Sequence, residues 1–108
     1  MAEPDVIDSI RRYMRAVEDA GIPVSFVVLF GSQSQGNTDK WSDIDLLVVS
    51  PHFDSHRLRE DSGILWYAAS QTDSRIEPIA CGLQRWSDDT SSAIIEIARR
   101  EGQLIQAA

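Results

Sequence analysis

The stretch that most constrains this chain is residues 26–49, FVVLFGSQSQGNTDKWSDIDLLVV. An apolar run from Phe26 to Phe30 breaks at Gly31-Ser32. A polar, glycine-punctuated segment follows, and then a second apolar run that carries Asp43 and Asp45. The pattern predicts a strand, a tight turn into a short helix or loop, and a second strand. Side chains alternate across a strand, so Asp43 and Asp45 share one face while Ile44 points to the other. Two neighbouring carboxylates repel, and one resists ionisation unless a cation lies between them. The pair therefore points to a divalent metal site.

The turn ahead of the aspartates supplies a complementary half. Gly31 lets the backbone come close to a ligand, and Ser32 adds a hydroxyl. If a helix begins there, the free N–H groups at its start suit a phosphate. A phosphate cradle and a carboxylate pair on one hairpin make a site for a magnesium-bound nucleoside triphosphate.

Gly31-Ser32, ten intervening residues and then Asp43-Ile44-Asp45 resembles the signature of the polymerase-β-type nucleotidyltransferase superfamily. The tail WSDIDLLVVS is similar to the minimal nucleotidyltransferases, the MNT antitoxin partners of HEPN toxins. A lone DxD is weak, since most such pairs are the wet face of a strand. The GS, the spacer and the flanking apolar strands make the combination specific. The resemblance implies an α+β, polymerase-β-like fold: a small mixed sheet of three or more strands flanked by about four helices. It spans nearly the whole chain, 1–108, read as a single domain.

The resemblance also implies the chemistry. Asp43 and Asp45 would be the shared metal ligands and Glu77 the third carboxylate, holding the catalytic ion and taking the acceptor's proton. Gly31, Ser32 and Gly36 would bind the nucleotide. With two Mg2+ ions about 4 Å apart, one activates an acceptor oxygen while the other holds the triphosphate. Hard oxygen ligands suit magnesium and are wrong for structural zinc. The implied reaction is in-line transfer of a nucleoside monophosphate, AMP from ATP, to a hydroxyl, with release of pyrophosphate.

One departure stands out. Many relatives carry a basic residue just after the Gly-Ser or just before the second glycine, where this chain has Gln33 and Gln35. Loss of that cation removes a charge-assisted phosphate contact worth about 1.5–3 kcal/mol. Lys40 and Arg75 are the candidate substitutes.

Composition narrows the partners. The chain has 108 residues, 17 acidic against 10 basic, and a net charge of −7. A free-standing nucleic-acid grip needs several spare Lys and Arg, so strong binding of that kind is not expected. The acidity fits a basic protein partner or simply solubility, and charge alone does not choose between them. Cys81 is the single cysteine, which excludes an intrachain disulfide and a cysteine-cluster zinc site. No apolar run approaches the eighteen or so residues of a membrane span, and MAEPDVID does not read as a signal peptide. A cytoplasmic protein is the default expectation.

Along the chain, residues 4–20 read as an amphipathic helix with Ile7, Ile10, Met14 and Val17 on one stripe, widened by Val6 and Tyr13 and stopped at Gly21. The first strand is expected at about 24–30, buried on both faces and so central. Gly36 and Asn37 are turn formers in a polar segment, and Trp41 reads as a packing residue. The second strand, 43–49, ends at Ser50-Pro51. His52 and His56 read as surface residues. Residues 57–70 read as a second helix that Trp66 and Tyr67 help to seat on the sheet. A third strand at 74–81 carries Arg75, Glu77, Ile79 and Cys81 on one face, and Pro78 marks an edge or the limit of regular pairing. A last helix at about 90–101 has Ile94, Ile95, Ile97 and Ala98 as its apolar face and Asp88 or Asp89 as its cap.

A bare catalytic domain has nothing left over for an acceptor site and must borrow one from a partner or a second copy. The resemblance points to a HEPN-type ribonuclease toxin whose tyrosine hydroxyl is the acceptor, the chain acting as antitoxin. Two rivals stand beside it. One is a binding module that masks its partner with little or no catalysis. The other is an enzyme acting on a small molecule of the aminoglycoside type, against which the chain's size argues.

Overall fold

A computed structural model of the chain describes residues 3–31, 42–55 and 58–106. The first helix, α1 (Pro4–Asp19), carries Val6, Ile10, Tyr13, Met14 and Val17 on its buried face. Proline in the first turn costs nothing because no intrahelical partner awaits its N–H. The helix ends where Gly21 takes φ 100°, close to the expected stop. Strand β1 (Phe26–Phe30) follows, then β2 (Ile44–Ser50). A 3-10 turn, Pro51–Asp54, leads towards α2 (Leu58–Thr72). Strand β3 (Ile76–Gly82), α3 (Leu83–Asp88), α4 (Ala93–Glu101) and β4 (Gln103–Ile105) complete the described chain.

The sheet has four strands in the order β3-β2-β1-β4. Strand β1 pairs antiparallel with both β2 and β4, and its three middle residues are buried, so it is central as its continuous apolar run predicts. Strands β2 and β3 pair in parallel, and α2 makes the crossover that a parallel pair requires. β3 is an edge strand, which accommodates Pro78. The result is an α+β architecture with a mixed sheet, as expected.

Two apolar layers sit on opposite faces. Ile44, Leu46 and Val48 of β2 and Val27 and Leu29 of β1 pack under α1 and α2. Leu47 and Val49 pack with Val28, Cys81, Ile95 and Ala98 under α3 and α4. The period-two alternation of β2 thus feeds both cores, which is why its apolar run is unbroken after Asp45.

Several expectations change. Trp66 and Tyr67 do not seat α2; they are 51% and 62% exposed. Asp61, Leu65, Ala68 and Ala69 form the inward stripe instead, leaving the aromatics to its flanks. The last helix begins later than expected, its cap is Ser92, and Asp89 turns the chain ahead of it by accepting from the Ser91 and Ser92 N–H groups. On α4 only Ile95 and Ala98 are buried, while Ile94 and Ile97 face out. Helix α3 and strand β4 carried no periodic signal: six and three residues are too short for a full repeat. His52 is half-buried rather than a free surface residue, with Nε2 at 3.1 Å from Oδ1 of the buried Asp61. His56, Trp41 and the predicted turn at Gly36-Asn37 lie outside the described residues.

Candidate active site

The register of the sheet brings the site together. Phe30 lies opposite Asp45 in the antiparallel pair, and Asp45 lies beside Glu77 in the parallel pair. Parallel neighbours in register point to the same face across a spacing of about 4.8 Å. That face is the one shared with Leu47 and Val49, the α3–α4 side of the sheet. The backbone N–H of Ile44 donates to the Arg75 carbonyl at 2.8 Å, which starts the ladder and fixes Glu77 opposite Asp45. Asp43 sits at the mouth of β2, exposed, two residues before Asp45 on the same side.

The electrostatics match this crowding. The Glu77 carboxyl is pushed above its ordinary range, first by desolvation, then by the charge of Asp43 and a hydrogen-bonding contact with Asp45. Three acids therefore crowd one end of the sheet. Among the described residues no group of three His, Cys, Asp or Glu side chains is already set to hold an ion. Mutual repulsion opposes closure until a positive charge offsets it. The donor set is all oxygen and fits a hard divalent cation.

Gly31 closes the near end of the site. Its φ is +76°, a left-handed conformation that glycine adopts without penalty. A Cβ placed there would stand 2.5 Å from Asp45 Oδ2, so the absence of a side chain also leaves room for the carboxylate. Ser32, Gly36, Gln33, Gln35 and Lys40, which the sequence reading placed around the phosphates, lie outside the described residues. Arg75, the other candidate phosphate contact, is tied to Asp73: Nε donates to Oδ1 at 3.0 Å and Nη2 to Oδ2 at 2.7 Å. This contact holds the Asp73 carboxyl at about 2, below its ordinary value.

Next to the acids the same face turns apolar. Leu47 and Ile79, each two residues beyond Asp45 and Glu77, line a hollow of about 220 Å³ with Cys81, Arg85, Ile94 and Ile95. Sequence reasoning missed it, because α4 comes to lie there only through the fold. Above it, Arg99 donates to the Asp89 and Trp86 carbonyls and lies 5.4 Å from the Trp86 ring centre, clamping α3 to α4.

An α+β sheet with acids at the ends of adjacent strands and a glycine turn against them defines a nucleotide-transfer domain. The family model for a nucleotidyltransferase domain matches residues 9–99, and the chain belongs to that family. Among solved structures it is similar to a candidate nucleotidyltransferase from Sulfolobus solfataricus, with a TM-score of 0.62 and 17% identity over 93% of this chain and 78% of that one. It is also similar to a toxin–antitoxin structure with AMP-PNP, with a TM-score of 0.58 and 23% identity over 94% of this chain and 73% of that one. At these identities the likeness is one of fold. No curated protein matches the sequence.

Proposed function

We propose that the chain is a magnesium-dependent nucleotidyltransferase that moves AMP from ATP to a hydroxyl on a toxin protein and thereby acts as its antitoxin. The observation that carries the transfer reading is the register of Asp45 beside Glu77, with Asp43 and the Gly31 turn at the same end of the sheet. The antitoxin reading draws on the toxin–antitoxin fold neighbour crystallised with AMP-PNP. The acceptor of first choice is a tyrosine of a HEPN-type ribonuclease.

In this reading Asp43, Asp45 and Glu77 would hold the metal, which would offset the charge of the triphosphate and of the leaving pyrophosphate. The acceptor oxygen forms a bond to the α-phosphorus as the bond to the β-phosphate oxygen breaks. Glu77 accepts the hydroxyl proton, the role that the family resemblance gives the third carboxylate. Gly31 gives the triphosphate an approach to the backbone. Ser32 and Gly36 complete the nucleotide contacts.

The test is a thermal-melt series with ATP, GTP, CTP and UTP, each with and without magnesium, on wild type and Asp45→Asn. Nucleotide at 100 times its Kd stabilises the fold by about 2.7 kcal/mol, a rise of roughly 10 °C or more for a domain of this size. The expected result is a magnesium-dependent rise with ATP that Asp45→Asn abolishes. No rise with any nucleotide at millimolar concentration overturns the catalytic reading for the isolated chain.

A second reading has a specific support. Gln33 and Gln35 leave the turn without its usual cation, and Arg75 is engaged with Asp73. A weak site of this kind fits a protein that masks its partner. Replacing both Asp43 and Asp45 with Asn separates the two: neutralisation of a co-expressed toxin survives under masking and is lost under catalysis.

A further inference from the structure

Helices α1 and α2 run antiparallel, with the Tyr13 hydroxyl donating to the Leu65 carbonyl near their midpoint. On their outward side, away from the sheet, a hollow of about 620 Å³ lies between them. Its lining is nearly all apolar: Ala16 and Ala20 of α1, and Gly63, Ile64, Tyr67 and Ala68 of α2. It shares no residue with the carboxylate cluster, which faces the opposite side of the sheet.

Two features mark this hollow as half of an interface. Tyr67 stands at its edge 62% exposed, a large ring with little cover. Gly63, inside α2, has nothing within 4 Å of where a Cβ would lie. Glycine inside a helix costs about 1 kcal/mol relative to alanine, and packing within the chain gives no reason for it here. One face thus carries both a projecting ring and an unfilled hole.

Charge is arranged along the same face. Arg12 stands about one turn before Ala16 and Arg15 immediately before it, with Arg11 beside them, and the same end carries Asp5, Asp8 and, from beyond α2, Asp73 with Arg75. None of the three arginines forms a salt bridge among the described residues. At the other end lie Asp19, next to Ala20, and Glu60 of α2. An isologous pair places each end of a patch against the opposite end of its copy. Arg12, whose Nη2 donates to Ser9 Oγ at 3.1 Å, and Arg15 of one copy then meet the carboxylates of the other.

We propose that this groove is where a second copy of the chain docks. The Tyr67 ring of each copy seats on the Gly63, Ala16 and Ala20 floor of the other, and Arg12 and Arg15 face Asp19 and Glu60 across a two-fold axis. The chain pairs through its helical layer and leaves both carboxylate faces open to acceptor.

Sedimentation velocity on the full chain tests this at concentrations up to about 100 μM, well above the micromolar limit of specific interfaces. Wild type is expected to show a species near twice the 12.0 kDa chain mass. At Gly63 an added Cβ has no neighbour within 4 Å, so Gly63→Leu is expected to fold, to fill the hole in the groove and to sediment as monomer. Tyr67→Lys folds and sediments as monomer too. Glu60→Arg weakens pairing at least tenfold, and adding Arg12→Glu restores it. A monomeric wild type overturns the proposal and leaves the groove to a different protein. A dimer indifferent to both Gly63→Leu and Tyr67→Lys overturns it too, by placing the contact elsewhere. Nucleotide-dependent melting of monomeric Gly63→Leu matches wild type, so failure here is separable from failure of the transfer reading.

Discussion

Gly31 is held by two demands that coincide on one backbone position. Its left-handed φ costs an ordinary L-residue about 1–2 kcal/mol, and its Cα faces the Asp45 carboxylate at a distance that excludes a methyl group. Gly31→Ala should therefore lower stability in chemical denaturation by at least that strain and push Asp45 out of line. Glu77→Gln should act in the opposite direction, because it relieves a crowded carboxylate: without metal, its Tm should rise above wild type. A fall in Tm would mean that the acids stabilise one another through shared protons. Asp73 gives a pH signature. Its carboxyl is held at about 2 against an ordinary 3.8, chiefly by the hydrogen bond from Arg75. A depressed acid lends stability that is fully present above its unfolded pKa and is lost as pH falls through the folded one. The Tm gap between wild type and Asp73→Asn should be constant above about pH 5 and close between about pH 4 and 2. A gap unchanged at pH 2 would show that the pair contributes no linked stability.

At the scale of elements, the short helix α3 depends on its neighbours more than on its own sequence. It has no side-chain cap of its own, and Asp54 from the 3-10 turn accepts from the Gln84 N–H at 3.3 Å. That contact requires Gly82, where a Cβ would fall 1.9 Å from Asp54 Oδ1. Gly82→Ala should cost about 1–3 kcal/mol, the usual range for overpacking. The cost should shrink in an Asp54→Ala background, because the two positions are in contact and so non-additive. An equal cost in both backgrounds would locate the strain elsewhere. Such dependence explains why α3 was not legible. A helix of under two turns shows no apolar repeat, and its start is set by a carboxylate 28 residues away in sequence from Gly82. By contrast α1, with 16 residues and one clean stripe, was readable to within a residue of its end.

For the molecule as a whole, the net charge is −7, and three of its carboxylates come together at Asp43, Asp45 and Glu77. Monovalent salt screens the general self-repulsion, while a divalent ion also neutralises the cluster. Magnesium chloride should raise Tm more than sodium chloride at matched ionic strength, and the excess should vanish in Asp45→Asn. Equal effects of the two salts in wild type would argue that the acids hold no ion without nucleotide.

The amino-acid sequence alone determined what local sterics and periodicity control. It placed Asp43 and Asp45 on one face, made β1 a central strand, marked Pro78 as an edge or the limit of regular pairing and broke the first apolar run at Gly31. The fold class followed from the same segments, read together with a family resemblance. Only the tertiary structure decided what lies beside what. Glu77 reaches Asp45 because the α2 crossover sets a parallel register between positions 32 apart in the chain, as Asp45 pairs with Glu77 and Ile44 with Ile76. Trp66 and Tyr67 face water because Leu65, Ala68 and Ala69 fill the space against the sheet first. Asp61 is buried within a polar stretch because His52 comes to meet it. Periodicity reports which side of an element is apolar; which apolar side finds a partner depends on packing between elements that are distant in sequence.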